Sequence, residues 1–453
     1  MTIDHDSIPM ESEDVPTEDS GSENTDSYEP EKMHWLYVLA IGLGFFTTGI
    51  SWSVYNSYLP ADFLPTFIVG DFQNTIIGAV MVLDNIVALF MQPYIGAKSD
   101  STQTRWGRRM PYIMIGAPIA AAFFTLVAYG WAVFGFWIMF AFITCFNIAM
   151  AFYRAPVVAL MPDLVPEEHR SNANGVINLM GGIGAIYAFA VASQIYKIND
   201  PAIGSFLGVT AAESGPILAF LTTSVIMVVS VVILFFAVKE PEVPHEPSEK
   251  MGILQAIRTV SFSEDKSAAA LLGAILFWFF GYNAIETWFT RYGKNVLGFL
   301  TADASFLLNG IALSFVIFAI PAGLLAGKIG RRRTILLGLC IMIASLFVLW
   351  VTTDYWMILG ILGVAGVGWA FVNVNSIVMI WQLLGQERVG AGTGLYYASS
   401  MTAAIIGPFI SGVIFDLTSI AALFPVSITF FVISLILTLA VRTGEVGDAP
   451  VGK

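Results

Sequence analysis

Charged side chains are scarce in this chain. Asp, Glu, Lys and Arg make up 12% of its 453 residues, whereas hydrophobic residues make up 57%. In soluble proteins about a quarter of the residues are charged. The composition therefore excludes an ordinary soluble domain and is typical of a protein embedded in a membrane.

Cysteine and histidine are also scarce. Both cysteines, Cys145 and Cys340, lie inside apolar segments, which argues against a stabilising disulfide. The four histidines lie outside these segments without the paired spacing of metal ligands, and the chain has no Gly-Lys-Ser/Thr phosphate-binding loop. We therefore expect no metal site, no cofactor, no ATP-driven step and no catalytic residues, so the chain is not predicted to be an enzyme.

The formal net charge of −12 describes one segment rather than the whole chain. Residues 1–31 contain eleven Asp and Glu and no Lys or Arg, which leaves a net charge of −1 for the remainder. We expect residues 1–33 to form a disordered acidic tail, because they contain almost no large apolar side chains. The basic surface that remains is too thin to indicate nucleic-acid binding.

Apolar stretches of about 20 residues, long enough for a helix to cross a bilayer, recur twelve times. The loops after the second, fourth, sixth, eighth and tenth stretches hold fourteen Lys and Arg, and the opposite loops hold three. Since positive loops stay on the cytoplasmic side, we expect both termini to be cytoplasmic. We predict an all-α, multi-pass protein of the cell membrane, with stretches that begin near Trp35, Asn74, Pro111, Trp137, Asn174, Pro216, Ala268, Ala304, Thr334, Tyr355, Val389 and Ala421.

The chain divides into two similar halves. A polar linker over residues 239–267 is predicted to separate six helices over 34–238 from six more over 268–442, with a short tail over 443–453. A basic, glycine-rich hairpin follows the second stretch, and a degenerate copy follows the eighth, as expected for an internal repeat. Membrane orientation explains part of this pattern, whereas the glycines indicate helix ends that approach closely. We predict a conformational gate formed by Gly96, Asp100, Gly107, Arg108, Arg109, Arg331 and Arg332.

The chain resembles the major facilitator superfamily, and within it the sucrose-transporter branch related to the glycoside–pentoside–hexuronide:cation symporters. Gln92-Pro-x-x-Gly-x-x-Ser-Asp100, followed by Gly107-Arg-Arg-x-Pro-Tyr-Ile113, is similar to the inner hairpin of that branch. The segment from Ala155 to Leu164 is similar to the end of its fourth helix. The resemblance implies two six-helix bundles that import a disaccharide or glucoside together with protons or sodium.

Two departures from related families bear on the coupling ion. Melibiose-type relatives carry two carboxylates one turn apart on helix 2, where this chain has Ala88 and Gln92. Plant sucrose symporters carry Asp and Arg on helix 4, where this chain has Asn147 and Val158. A sodium site built from the helix 2 pair is therefore not expected, and a coupling carboxylate must lie elsewhere.

Three ionisable side chains lie deep inside the apolar stretches, where they are energetically costly and rarely incidental. They are Asp84, Arg154 and Glu286. For Asp84 we weigh coupling or gating against a structural bond to a neighbouring helix, and for Arg154 we consider a functional ion pair or a substrate contact. We predict proton coupling at Glu286 with Arg154 as its partner, and Asp84 as the alternative carboxylate. Arg291 is left open between a functional residue and an ordinary residue at the outer membrane surface.

Sugar sites combine aromatic faces with amides or hydroxyls. Helix 1 carries such residues on one face, and helix 7 carries a second polar-aromatic stripe, although similar stripes also serve helix packing and interfacial belts. On helix 10, Asn373 and Asn375 point to different faces, so only one of them is expected to line a cavity. The residues that we predict to contact substrate are Trp52, Tyr55, Asn56, Asn147, Arg154, Tyr282, Asn283 and Asn373.

These features favour a monomeric secondary transporter that imports a neutral di- or oligosaccharide of the sucrose, maltose or glucoside type. Proton symport is favoured because one carboxylate is enough to carry one proton. Its expected partners are the sugar, the coupling cation and the lipid bilayer, and not nucleic acid. Two alternatives remain: an uncoupled facilitator or exporter of another amphiphile, such as a lipid or drug, and a non-transporting receptor on the same scaffold.

Overall fold

The computed structural model describes residues 35–166, 169–240, 266–384 and 389–442, and for residues 170–172 and 389–391 it describes the backbone alone. The two predicted tails and most of the predicted linker lie outside these residues. In the described chain, twelve helical segments are long and apolar enough to cross a membrane, which confirms the predicted architecture. We name them α1 to α12 in chain order: Trp35–Phe67, Gln73–Asp100, Met110–Phe134, Phe136–Leu164, Ala173–Tyr196, Ala211–Ala237, Ser267–Asn295, Thr301–Ile329, Arg331–Val351, Tyr355–Leu384, Gly392–Leu417 and Ile420–Ala440.

Local interruptions shape the first two helices. A π-helical turn over Leu59–Phe63, which contains Pro60, interrupts the regular α-helical hydrogen bonding in the last part of α1. Helix α2 consists of two α-helices, Gln73–Met81 and Leu83–Asp100, which meet at Val82. The interruption places Asp84 in the first turn of the second part of α2, where the helix dipole favours a negative charge.

The helices of the two halves pack in the same pairs. In the first half, α1 packs against α5 and α6, α3 against α4 and α6, and α2 against α4. In the second half, α7 packs against α11 and α12, α9 against α10 and α12, and α8 against α10. Each pair in the second half is thus a pair of the first half shifted by six helices. This is the arrangement expected for two six-helix bundles related by an internal repeat.

Contacts between the two bundles are made chiefly by three pairs of helices. Helix α2 packs against α11, α5 against α8, and α1 against α7. The predicted site residues on α1 and α7 therefore lie on helices that face each other across the interface between the bundles.

Candidate functional site

The aromatic and amide side chains predicted on α1 and α4 lie together in the first bundle. Tyr55 stacks on Phe146 with ring centroids 5.7 Å apart. Trp52 meets these two rings edge-on, at centroid distances of 5.4 and 5.6 Å. Asn147 follows Phe146 in the chain and lies beside the Tyr55 hydroxyl. These four residues form what we call the aromatic cluster.

Several polar atoms of the aromatic cluster have no hydrogen-bond partner among the described residues. They are Trp52 Nε1, the Tyr55 hydroxyl, and both the Nδ2 and the Oδ1 of Asn147. Tyr55 is completely buried and Asn147 is 1% exposed. An unsatisfied buried polar group costs about 1–3 kcal/mol. Because these atoms are buried in the described conformation, a ligand could bond to them only after neighbouring side chains move.

The second bundle brings a matching set of side chains to α7 and α10. Tyr282 stacks on Trp369 with ring centroids 4.0 Å apart and ring planes within 7° of parallel. The neighbouring Asn283 has a buried Nδ2 without a partner in the described chain. Asn375 is buried and donates hydrogen bonds to two backbone carbonyls, so it serves helix packing. Asn373 is half-buried.

The three ionisable side chains inside the spans are all half-buried. Asp84 Oδ1 accepts a hydrogen bond from Asn85 Nδ2 at 2.8 Å. The charge of Arg154 acts on Asp84 electrostatically, but Arg154 forms no ion pair with any carboxylate in the described chain. Glu286 accepts a hydrogen bond from Asn56 Nδ2 at 3.4 Å. In this conformation, Glu286 therefore has an amide of α1 as its partner, and not the predicted Arg154.

Arg291, which the sequence left open, is a buried residue at the interface between the bundles. It is 4% exposed, although it lies near the end of α7. Its guanidinium donates to three acceptors of the first bundle: the Pro60 carbonyl at 3.1 Å, Gln73 Oε1 at 2.7 Å and Asn74 Oδ1 at 3.2 Å. A buried guanidinium needs such partners, since an unpaired one would be strongly destabilising. Arg291 is thus a link between the bundles rather than an ordinary surface residue.

Asp416, at the end of α11, makes a second link to the beginning of α2. Its carboxylate accepts hydrogen bonds from the backbone N–H groups of Asn74 and Thr75 at 3.0 and 2.7 Å. The same carboxylate accepts from Asn74 Nδ2 at 2.8 Å and from Thr75 Oγ1 at 2.6 Å. The side chain of Asn74 therefore bridges Asp416 and Arg291. We call Asn74, Thr75, Arg291 and Asp416 the latch.

Further polar contacts surround the latch. Lys294 and Thr301 of the second bundle bond to Asp62 Oδ1 at 2.5 and 2.8 Å. Ser305 donates to Ser57 at 3.0 Å, and Lys197 pairs with Asp303 at 2.5 Å. At the same end, Gly78 allows α2 to approach α11, because a Cβ there would lie 2.7 Å from the Pro408 carbonyl oxygen. The two bundles are joined at this end, which we call the closed end.

Asp416, Asn74, Asp62 and Lys294 were not predicted from the sequence to join the two bundles. Each lies at or near the end of an apolar stretch, where polar residues ordinarily meet water and lipid headgroups. One signal was available: the loops on this side hold few basic residues, and two of them, Arg291 and Lys294, occur together on α7.

The hairpin between α2 and α3 lies at the opposite end of the first bundle. Arg109 is 4% exposed and bonds to Asp100, Ser99 and Asp163, with 2.9 Å from Nε to the Asp163 carboxylate. Arg108 pairs with the other oxygen of Asp163 at 2.9 Å. These contacts connect α2, α3 and α4 within the first bundle. The predicted gate residues of the hairpin are thus brought together, whereas their role as a gate stays a prediction.

Glu240 completes the hairpin by accepting backbone N–H bonds at the start of α3, from Arg108, Arg109 and Met110, at 2.7 to 3.0 Å. Gly107 permits this approach, because its φ is +103° and a Cβ there would lie 2.7 Å from that of Glu240. Gly96, by contrast, has open space where a Cβ would lie.

In the second copy of the hairpin, Arg332 donates to the carbonyls of Thr438 and Leu439 in α12, at 3.3 and 2.7 Å. Its neighbour Arg331 is half-buried. The Arg332 contacts lie within the second bundle, just as those of the first hairpin lie within the first bundle.

Nearly all of the membrane region is similar to known proteins. A family model described as MFS/sugar transport protein matches residues 40–440. The isoprimeverose transporter of Lactiplantibacillus pentosus is 24% identical over 70% of this chain and 64% of its own length. A lactose permease of Leuconostoc lactis is 24% identical over 54% of this chain and 43% of its own length. The matched part thus spans less than two thirds of these relatives.

A plant relative and a solved structure extend these matches. The sucrose transport protein SUC4 of Arabidopsis thaliana is 29% identical over 24% of this chain and 25% of its own length. The structure of a bacterial homolog of the human lysosomal transporter Spinster, in an inward-facing and unoccupied conformation, has a TM-score of 0.72. It covers 90% of this chain and 97% of its own, at 16% identity, and therefore supports the fold alone.

Proposed function

We propose that this chain, which belongs to the MFS/sugar transport protein family, imports a neutral di- or oligosaccharide by proton symport with alternating access. The family consists of multi-pass membrane transporters rather than enzymes, in agreement with the twelve spans. The isoprimeverose, lactose and sucrose transporters among its relatives support a glycoside substrate.

The main support for this proposal is that several buried polar atoms of the aromatic cluster have no hydrogen-bond partner in the described chain. Protein-bound sugars present C–H faces to aromatic rings and hydroxyl groups to amides and hydroxyls. The aromatic cluster offers both, with Trp52 and Tyr55 as rings and Asn147 as an amide without a protein partner. Tyr282 and Asn283 offer the same combination on the second bundle. A substrate with two rings could therefore contact both bundles at once.

Alternating access requires that one end of the interface between the bundles closes while the other opens. We propose that the closed end faces the outside, because the loops at the opposite end carry most of the Lys and Arg. The described conformation is then inward-facing. We propose that the first bundle comprises residues 34–238 and the second bundle residues 268–442. During transport these two bundles would rock against each other, so that the closed end opens while the opposite end closes.

Proton coupling is the form of symport that these residues favour. The helix 2 positions that carry a carboxylate pair in melibiose-type relatives are Ala88 and Gln92 here. The two carboxylates inside the described spans that concern coupling, Asp84 and Glu286, lie on different bundles and have different amide partners, Asn85 and Asn56. A single carboxyl of this kind can carry one proton, whereas sodium usually needs several oxygen ligands.

Replacement of Trp52 or Asn147 by Ala should weaken sugar binding by about 1–3 kcal/mol, the scale of one lost hydrogen-bond or stacking partner. Binding is to be measured with a panel that includes sucrose, maltose and lactose. The matched controls are Trp137→Ala and Asn178→Ala, whose side chains are exposed on the surface of the spans. If the Trp52 and Asn147 variants bind each transported sugar as tightly as the parent does, the site lies elsewhere.

We propose that the hairpin stabilises the outward-open state, in which the closed end has separated. The Asp100–Arg109 contact is present in the described conformation, and we propose that it strengthens when the closed end separates. Asp100→Asn removes the negative charge that faces Arg109, so the resting population should then shift towards the inward-facing state and turnover should slow. The intrinsic sugar affinity should change little once the shift is taken into account. Distances between spin labels on the two bundles would measure the shift, with Arg105→Ala, at an exposed hairpin position, as the control. An unchanged ratio of the two states in Asp100→Asn would remove this role.

A further inference from the structure

The hydrogen bond between Asn56 and Glu286 joins the two bundles at an unusual place. Asn56 is on α1 and Glu286 is on α7, and within the described chain neither side chain has another hydrogen-bond partner. On the same face of α1, Trp52 Nε1 and the Tyr55 hydroxyl have no protein partner. The amide of Asn56 therefore lies between the aromatic cluster and the carboxyl group predicted to carry the proton.

This bond is also the innermost in a series that links α1 to the second bundle. The next residue, Ser57, bonds to Ser305 at 3.0 Å. Further along, the Pro60 carbonyl accepts from Arg291, and the Asp62 region accepts from Lys294. A change at Asn56 thus occurs at the end of a set of contacts that hold the closed end together.

Because Asn56 donates through a side-chain amide, its hydrogen bond can pass from one acceptor to another. The two hydrogens of its Nδ2 point in fixed directions in the plane of the amide, so turning the side chain to aim one at a new acceptor takes it away from Glu286, and an ionised carboxylate can only accept. The distance of 3.4 Å is long for such a bond, since N–H···O bonds usually measure about 2.7–3.2 Å. A sugar hydroxyl that approached from the aromatic cluster could accept from Nδ2 at a shorter distance.

The charge on Glu286 depends on keeping that donor. An ionised carboxylate in the middle of a membrane helix is costly, and the loss of its hydrogen bond makes it more so. The charge of Glu286 acts on Tyr282 of its own helix and on Asp84 of α2, and neither of these groups can carry a positive charge. The positive charge of Arg154 acts on Asp84, and Arg291 is held in the latch.

We propose that the sugar and Glu286 compete for the amide of Asn56, and that this competition couples sugar binding to proton uptake. When the sugar takes the Nδ2 donor, Glu286 binds a proton from the side opposite the closed end and becomes neutral. When Glu286 is already protonated, the donor is free for the sugar. By thermodynamic linkage each ligand strengthens the binding of the other. Asn56 is thus a positioning residue for the coupling carboxyl, and this inference rests on the proposed function.

The test is the number of protons taken up when sugar binds to the purified protein in weakly buffered solution, with sucrose, maltose and lactose as probes. The parent should take up about one proton per sugar, because one carboxyl binds one proton. Asn56→Ala should bind the sugar several-fold more weakly and take up close to none, because its Glu286 has no donor to lose. Asn56→Gln, which keeps an amide, should restore part of the uptake. Ser57→Ala, which removes the neighbouring contact, should leave it at the parent value.

Two outcomes would overturn the proposal, and they differ. If the parent binds none of the probe sugars, the proposed function fails and this inference fails with it. If the parent binds sugar with proton uptake and Asn56→Ala takes up the same number of protons, the proposed function stands. In that case Asn56 has no part in coupling. Glu286→Gln, which should bind sugar without proton uptake, identifies the carboxyl independently of Asn56.

Discussion

Replacement of Asp416 by Asn is expected to open the closed end. The carboxylate accepts four hydrogen bonds from Asn74 and Thr75, and an amide would replace one of its two accepting oxygens by a donor. A hydrogen bond to a charged group contributes about 1.5–3 kcal/mol. Loss of one such bond corresponds to a shift of about 10-fold to about 150-fold in the equilibrium between closed and open states. Arg291→Ala should act in the same direction from the other side of the latch.

The opening can be measured as the reactivity of a single cysteine at Ser305, a position that is fully buried at the closed end. Cys145 and Cys340 must first be replaced, since Cys340 is exposed. The control is Lys197→Ala, because the Lys197–Asp303 pair is about a third exposed and such pairs contribute about 1 kcal/mol or less. If the cysteine reacts no faster in Asp416→Asn or Arg291→Ala than in the control, the latch does not hold this end.

The two latch variants should not be additive. Asn74 Oδ1 accepts from Arg291 while its Nδ2 donates to Asp416, so each partner orients the amide for the other. Once Asp416 has been replaced, the side chain of Asn74 is no longer held in the orientation in which it accepts from Arg291. Replacement of Arg291 in that background should therefore have a smaller effect than in the parent.

The fold could be predicted from the sequence because the bilayer restricts it so strongly. A spanning helix must be about 20 residues long and apolar, and each predicted start lies within five residues of the start of the corresponding helix. The repeated hairpin also indicated two bundles of six. The break at Val82 was not foreseen, because no proline or glycine marks that position of α2.

The site could be predicted only in part. Charged residues inside apolar stretches are conspicuous in the sequence, so Asp84, Arg154 and Glu286 were easily identified. Helical periodicity shows which residues share a face, but it does not show which residue of another helix lies opposite at the same depth. The sequence therefore led to Arg154 as the partner of Glu286, whereas the structure gives Asn56.

The latch illustrates the same limit at the end of the helices. The sequence left Arg291 open between a functional residue and an ordinary residue of the membrane surface, because nothing in α7 indicates that it is covered by Pro60 and Gln73. Its partners are more than 200 positions away in the chain and belong to the other bundle. Such pairings depend on how the bundles tilt against each other, which no local pattern encodes.

Replacement of Glu286 by Gln should abolish uphill accumulation of sugar and leave counterflow intact. Glutamine has nearly the same size as glutamate, and its carbonyl oxygen can still accept the hydrogen bond from Asn56. It cannot bind a proton, so a proton gradient can no longer drive net uptake. Counterflow exchanges labelled for unlabelled sugar and requires no net proton movement. Both activities can be measured in the same proteoliposomes, with an imposed pH gradient for the first and none for the second.

Asp84→Asn is the matched variant for this experiment, since Asp84 is the other carboxylate that we consider for coupling within the described spans. Asp303→Asn serves as the control, because its partly exposed carboxylate pairs with Lys197 at the closed end, away from the aromatic cluster. Concentrative uptake that survives in Glu286→Gln but fails in Asp84→Asn would transfer the coupling role to α2. Uptake that survives in both variants, with the dependence on the pH gradient unchanged, would contradict coupling at either residue. Equilibration without accumulation in the parent would mean that the protein is a facilitator, because a symporter must convert the proton gradient into a sugar gradient.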